Sequence, residues 1–227
     1  MTASRQKPDT TVELVALRRG APRPAAQRFL AVNSVLLGLA VLAAALPWIR
    51  GRAQGRSVGT GAEVDPYWLK GTFLMVLANA IKWPEQRSKE PFRIVLVRCG
   101  NAQVQEIKKA IGDLRSPLGG KPQIVSERNM TGAGLTNLAT AHVLFVGGGV
   151  GAKDVVEIQK AFSSSPILTV IDDRVEYLRR GYIGAVREQG DKIIVSVSRS
   201  NLQTAGLSLI EAEVAPLVKE KRLEWDD

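Results

Sequence analysis

One uncharged stretch, Phe29 to Ile49, constrains this chain more than any other feature. It runs between Arg28 and Arg50, and its centre, Val35 to Leu46, contains only Val, Leu, Ala and Gly. A helix of about 20 apolar residues spans the hydrocarbon layer of a membrane, and the dense centre also fits the h-region of a secretory signal. Residues 29–49 are therefore predicted to enter a membrane, either as a signal-peptide h-region or as a transmembrane anchor.

The charges on the two sides of this stretch predict its orientation. The basic residues ahead of it outnumber the acidic Asp9 and Glu13; they are Arg5, Lys7, Arg18, Arg19, Arg23 and Arg28. Because positive residues stay on the cytoplasmic side, residues 1–28 are predicted to be a disordered cytoplasmic leader. The rest of the chain is predicted to lie on the periplasmic side of the inner membrane. Arg50, Arg52 and Arg56 weaken this prediction without reversing it.

Residues 50–64 are rich in Gly and Arg and are predicted to be a linker. Ala43 to Ala45 supply the small residues of a signal-peptidase site, whereas Trp48 suits the interfacial position of an anchor that stays. Cleavage and retention both remain open. The product is expected to be either secreted or held at the inner membrane by residues 29–49.

The positive charge of the chain is concentrated near its N-terminus. Of the formal net charge of +9, residues 1–53 carry +6, which leaves +3 for the remaining 174 residues. The high pI therefore gives no reason to expect nucleic-acid binding. By length, residues 65–227 are expected to form one domain. A single cysteine, Cys99, excludes an internal disulfide bond.

Helix and strand patterns alternate along most of residues 65–227. Asp65 and Pro66 mark the start of a helix from Tyr67 to Lys82, and Pro84 ends it at Trp83. Apolar runs predict strands at Phe92–Val97, Gln123–Ser126, His142–Val146 and Ile167–Asp172, and helices between them at Ala102–Leu114, Leu135–Ala139 and Ala152–Phe162. This alternation predicts a three-layer α/β fold, with a mostly parallel sheet and helices on both faces.

The C-terminal end follows a different pattern. Tyr182–Glu188 and Lys192–Val197, joined by Gln189-Gly190-Asp191, predict an antiparallel hairpin at the end of the sheet. A single helix is expected from Asn201 to about Lys219, with Ser200 and Gln203 as its capping box.

No motif predicts a catalytic, cofactor or metal site. Gly147–Gly151 lies between a strand and a helix, but its glycines fit neither the dinucleotide nor the Walker spacing, so a tight turn is favoured. The only histidine, His142, is expected in the core or at a strand end, and a pair with Cys99 would require the fold to join them. Asp172 and Asp173 could hold Mg²⁺ at the carboxyl edge of the sheet. Capping of the turn Val175–Arg179 is the favoured interpretation.

Several segments occur in the order of one known family. They are Ala80–Pro84, Phe92–Leu96, Gly100, Gly120–Val125, Ala141–Val146, Ile167–Asp172, Gly181, Ile183, Glu188, Lys192–Ile193 and Ala205–Leu207. Between Lys70 and Leu217 the chain thus resembles the YfiR-like periplasmic regulatory proteins. The Trp83-Pro84 pair and the Leu-Thr-Val-x-Asp strand are the most specific features. The paired cysteines of better-known members are absent, and Val197-Ser198 stands where an Ile-Asn pair is usual.

The resemblance implies a regulatory protein without enzymatic activity or cofactor, and often a homodimer. Its partner would be a membrane-bound diguanylate cyclase or similar sensor, which it restrains through the sensor's periplasmic domain, lowering cyclic di-GMP and biofilm formation. The alternative is a periplasmic small-molecule-binding domain or enzyme that uses the carboxyl edge of the sheet.

Two short segments are candidate partner-binding sites. Arg179 and Arg180 with Tyr182 form a basic and aromatic patch. Trp83 and Pro84 are the other candidates, because Pro84 fixes the exit of the chain and could leave Trp83 near the surface. For Trp83, sealing the core is the favoured alternative.

Overall fold

The computed structural model describes residues 64–112, 114–128, 133–190 and 192–226. The leader, the membrane stretch and nearly all of the linker lie outside these ranges, so the predictions for residues 1–63 stay predictions. Within the described ranges, no helix is both long and apolar enough to span a bilayer.

Helices and strands alternate along the described chain. The helices are α1 (Pro66–Ala80), α2 (Asn101–Ile111), α3 (Ala133–Ala139), α4 (Ala152–Phe162), α5 (Arg199–Thr204) and α6 (Glu211–Lys219). The strands are β1 (Ile81–Lys82), β2 (Arg93–Val97), β3 (Gln123–Glu127), β4 (Val143–Val146), β5 (Leu168–Asp172), β6 (Gly184–Gln189), β7 (Lys192–Val197), β8 (Ser208–Leu209) and β9 (Leu223–Trp225). Short 3₁₀ segments cover Arg87–Lys89 and Val175–Arg180.

The first helix begins at the predicted position. The Asp65 carboxylate accepts a hydrogen bond from the Tyr67 backbone N–H at 2.7 Å, and Pro66 occupies the first helical position. The helix ends two residues earlier than expected, because Ile81 and Lys82 pair antiparallel with β8.

A seven-stranded sheet in the order β3-β2-β4-β5-β6-β7-β9 forms the middle layer. The neighbours from β3 to β6 pair in parallel, β6 and β7 form the antiparallel hairpin, and β9 pairs in parallel with β7. The predicted fold class, a mostly parallel sheet with an antiparallel pair near its C-terminal end, is confirmed.

Two apolar cores lie on the opposite faces of this sheet. Alternate residues of β2 belong to different cores: Ile94 and Leu96 to one, Val95 and Val97 to the other. The first core includes side chains of α1, α2 and α6, and the second includes side chains of α3 and α4. The three-layer arrangement therefore buries the central strands on both sides.

The single C-terminal helix predicted from Asn201 to Lys219 is wrong. The chain forms α5, leaves the helix at Gly206 with φ of 69°, pairs as β8, and only then forms α6. A glycine adopts this left-handed conformation at little cost and so ends the helix. The residue that caps α5 also differs from the predicted Ser200. The Ser198 hydroxyl accepts a hydrogen bond from the Asn201 backbone N–H at 3.3 Å.

Candidate functional site at the carboxyl edge of the sheet

The strand order reverses between β2 and β4, and in open parallel sheets the carboxyl side of such a point is where ligands bind. Arg98 and Cys99 follow β2 there, and Gly147 follows β4. A Cβ atom on Gly147 would lie 3.1 Å from the Cys99 sulfur and 3.1 Å from the Arg98 carbonyl oxygen. Gly147 thus lets the two loops pack closely. The Val150 N–H donates to the Gly147 carbonyl at 3.1 Å, which closes the tight turn predicted there.

Beside this turn lies a group of charged and polar side chains, the Lys70 cluster, made of Tyr67, Lys70, Asp172 and Glu188. Lys70 Nζ donates to Asp172 Oδ1 at 2.8 Å and to Glu188 Oε1 at 2.7 Å. The Tyr67 hydroxyl donates to Asp172 Oδ2 at 2.9 Å. Lys70 and Asp172 are 3% and 2% exposed, so their ion pair is buried. The cluster thereby fastens the first turns of α1 to β5 and β6.

The protonation states of the cluster follow from this geometry. Burial by itself lowers the pKa of Lys70, but hydrogen bonds to Asp172 and Glu188 outweigh it, and the pKa lies above its usual value. The pKa of Tyr67 is also raised, first by burial and then by the charge of Asp172. Lys70 stays charged and Tyr67 stays neutral at pH 7. The cluster therefore presents donors matched to acceptors, which suits a structural tie better than acid–base chemistry.

Asp172 does not cap the turn that follows it. The 3₁₀ segment Val175–Arg180 has no side-chain cap, so the favoured sequence interpretation is wrong. Both carboxylate oxygens of Asp172 are engaged within the Lys70 cluster, and Asp173 is exposed with φ of 57°. In the described part of the chain, no three His, Cys, Asp or Glu side chains are grouped to hold a metal ion.

Sequence reasoning overlooks Lys70. A lysine within a helix is usually solvent-facing, and Lys70 falls outside the apolar positions of α1. The signal that points to it is Asp172, a carboxylate that closes a strand buried along its whole length. A buried carboxylate requires a counter-charge, and a lysine on the covering helix supplies it.

Cys99 and His142 lie at opposite ends of two neighbouring parallel strands. Cys99 follows β2 at the carboxyl edge of the sheet, and His142 precedes β4 at the amino edge. Burial, aided by the charge of Asp172, raises the pKa of Cys99 to about 12, so its thiol is protonated at neutral pH. His142 Nδ1 accepts from the Arg93 backbone N–H at 3.2 Å, which leaves Nε2–H to donate to the Arg87 carbonyl at 3.0 Å. Burial lowers the pKa of His142. The fold thus provides no thiolate–imidazole pair.

Trp83 lies at the amino edge of the sheet, far from the Lys70 cluster. It is 9% exposed, its Nε1–H donates to the Ala78 carbonyl at 3.1 Å, and its ring makes edge contacts with Phe92 and His142. These contacts are those of a core residue. Pro84, which follows, is half-buried. A partner-binding role for Trp83 would require it to leave the core.

The second candidate segment is split between surface and core. Arg179 and Arg180 are exposed, whereas Tyr182 is 1% exposed and its hydroxyl donates to the Val155 carbonyl at 3.0 Å. The ring that meets a guanidinium is that of Tyr177, 5.2 Å from Arg180 Cζ. The arginines of the predicted patch are thus exposed, its tyrosine is buried, and Tyr177 is the ring beside Arg180; binding of a partner by Arg179, Arg180 and Tyr182 stays a prediction.

The sequence of the domain is similar to that of a known protein family. No curated protein matches the chain. The YfiR/HmsC-like family matches residues 67–212, a range that begins in α1 at Tyr67 and ends in α6. It contains every residue of the Lys70 cluster and both candidate partner-binding segments. Because the match covers more than half of the chain, this protein belongs to the YfiR/HmsC-like family.

Proposed function

We propose that this protein is exported and restrains a membrane-bound diguanylate cyclase or similar sensor by binding its periplasmic domain, acting as a homodimer. Cyclic di-GMP signalling, and with it biofilm formation, is lower when the protein is bound. The observation that carries this proposal is the family match over residues 67–212. Family membership indicates, in general terms, a periplasmic regulator of diguanylate cyclase signalling.

The polar groups of the domain support binding over catalysis. Both Asp172 oxygens are occupied within the Lys70 cluster, and the thiol of Cys99 is buried and protonated. His142 bonds two backbone groups at the other edge of the sheet. None of these residues offers a free nucleophile or base near a crevice. This disfavours an enzyme at the carboxyl edge; a small-molecule-binding domain remains the alternative.

Export follows from the sequence ahead of the domain. The basic leader, residues 1–28, stays in the cytoplasm, and residues 29–49 carry the rest of the chain to the periplasmic side. The domain then meets the external part of a membrane sensor whether it is released or stays anchored.

Restraint requires that the protein bind the inactive conformation of the sensor more tightly than the active one, because equal binding shifts no equilibrium. A ~100-fold preference corresponds to about 2.7 kcal/mol. A few well-packed interface residues supply a difference of this size.

A cross-linker that passes the outer but not the inner membrane, applied to intact cells that carry the tagged full chain, tests the interaction. We expect a cross-linked product with a membrane-bound diguanylate cyclase or sensor kinase, identified by mass spectrometry. A chain without residues 1–49 is the matched control and should give no product, because it stays in the cytoplasm. Cross-links only to the chain itself, at native expression, would contradict the proposal.

A further inference from the structure

Arg174, Tyr177 and Arg180 form a row, named here the arginine ladder; Arg174 precedes the 3₁₀ segment Val175–Arg180 that follows β5, and the other two lie within it. In a 3₁₀ helix the side chains at i and i+3 lie directly above one another. Accordingly, the guanidinium carbon of Arg180 lies 5.2 Å from the centre of the Tyr177 ring. Arg174, just ahead of the segment, brings its guanidinium carbon to 5.9 Å from the same ring. Both arginines therefore make cation–π contacts with one ring.

Contacts with the rest of the domain hold the ladder in place. Tyr177 is 7% exposed and packs edge-on against Tyr182, with ring centres 6.1 Å apart. Arg174 also donates to the Gly148 carbonyl at 2.9 Å. Side chains that are already ordered lose less entropy when a partner binds, so these guanidinium groups suit recognition better than freely moving ones.

The ladder and its exposed neighbour Arg179 form no ion pair with the carboxylates that the structure describes. Across the described ranges, other arginines form ion pairs, for example Arg98 with Asp154 at 3.1 Å and Arg187 with Glu224 at 2.6 Å. No carboxylate of these ranges lies within 4.0 Å of a charged nitrogen of Arg174, Arg179 or Arg180. Arg174 and Arg180, held at one ring, and the exposed Arg179 next in sequence to Arg180 thus carry no ion pair to a described carboxylate.

A protein carboxylate fits this surface better than a lipid headgroup. Surface cations contribute about 1 kcal/mol each to binding an anionic membrane. Three arginines alone would therefore bind such a membrane weakly. Membrane-surface binding also uses exposed apolar side chains, but Tyr177 and Tyr182 are buried. Guanidinium groups bind carboxylates through two parallel hydrogen bonds, and arginine is enriched among the residues that dominate protein interfaces.

We propose that the arginine ladder, with Arg179, binds an acidic segment on the external domain of the membrane sensor. This inference rests on the proposed function and adds the chemistry of the partner surface. The contact supplies bidentate ion pairs and attracts the acidic segment at long range.

The test replaces the exposed pair by Arg179→Glu/Arg180→Glu in a deletion strain that expresses the full chain at native level. Lys219→Glu/Lys221→Glu is the matched control, with the same change of charge at two exposed lysines of α6 and its end. We expect cyclic di-GMP to rise to the level of the deletion strain with the arginine variant and to stay repressed with the lysine variant. Arg179→Lys/Arg180→Lys keeps the positive charges but not the paired N–H donors of the guanidinium groups. This variant should lower cyclic di-GMP only partially.

The outcomes separate the two proposals. Equal cyclic di-GMP in the wild-type and deletion strains removes the proposed function and this inference together. Full repression by the Glu variant, or no repression by a folded Lys variant, overturns the inference and leaves the function standing. A flotation assay with phosphatidylglycerol vesicles tests whether the ladder binds an anionic lipid headgroup instead. The full chain and its Glu variant should float equally. Flotation lost only in the variant would assign the ladder to lipid and overturn the proposal.

Discussion

Replacing Lys70 by methionine should lower the free energy of unfolding by about 3–5 kcal/mol. The substitution keeps the length of the aliphatic chain but removes the ammonium group that lies 2.8 Å from Asp172. Asp172 is 2% exposed and would remain as a buried charge with one neutral donor, Tyr67. Denaturation by urea, followed by tryptophan fluorescence, measures the loss.

Two further variants test whether the unpaired buried carboxylate, rather than the loss of a lysine side chain, lowers the free energy of unfolding. Lys82→Met, at an exposed position, should change the free energy of unfolding by less than about 0.5 kcal/mol. Lys70→Met/Asp172→Asn should recover much of the stability, because the amide is neutral and can still accept from Tyr67. A double variant no more stable than Lys70→Met alone would show that the unpaired carboxylate is not the cause.

Replacing Trp83 by alanine should also cost about 3–5 kcal/mol, since it empties a large core position. The indole packs against Phe92 and His142, with ring centres 5.8 and 5.4 Å away, and its N–H is bonded to the Ala78 carbonyl. Thermal unfolding of the purified variant, together with its level in cells, measures the effect. Trp83→Phe keeps much of the packing and should lose far less stability.

The same variant decides between the two roles considered for Trp83. A Trp83→Ala protein that melts early or fails to accumulate agrees with the core position. One that stays as stable as the wild type but no longer lowers cyclic di-GMP would contradict it and support a direct contact with the partner.

The regular part of the fold is predictable from the sequence because local and global signals agree there. Asp65 and Pro66 fix the start of α1, and alternating apolar strands and amphipathic helices specify a mostly parallel sheet. The hairpin at Gly190 follows from its turn residues.

The C-terminal part is predicted less well because its elements are short. β8 and β9 span two and three residues, too few to show a period. The apolar spacing between Asn201 and Lys219 continues past Gly206, although the backbone there leaves the helix. A glycine inside a periodic segment signals such a break only when its φ is known.

The candidate site is harder to predict because it depends on contacts distant in sequence. Lys70 and Asp172 are separated by 102 positions and meet only after α1 packs on the sheet. The arginine ladder needs the 3₁₀ spacing that selects Tyr177, whereas proximity in sequence to Arg179 and Arg180 selects Tyr182.

Cyclic di-GMP measured in a deletion strain, with and without the gene restored, tests the restraint of a cyclase most directly. We expect the deletion to raise cyclic di-GMP, the full chain to lower it again, and a chain without residues 1–49 to leave it high because it is not exported. Unchanged cyclic di-GMP in the deletion strain, or equal repression by the chain that stays in the cytoplasm, would contradict an exported regulator that restrains its partner from the periplasm.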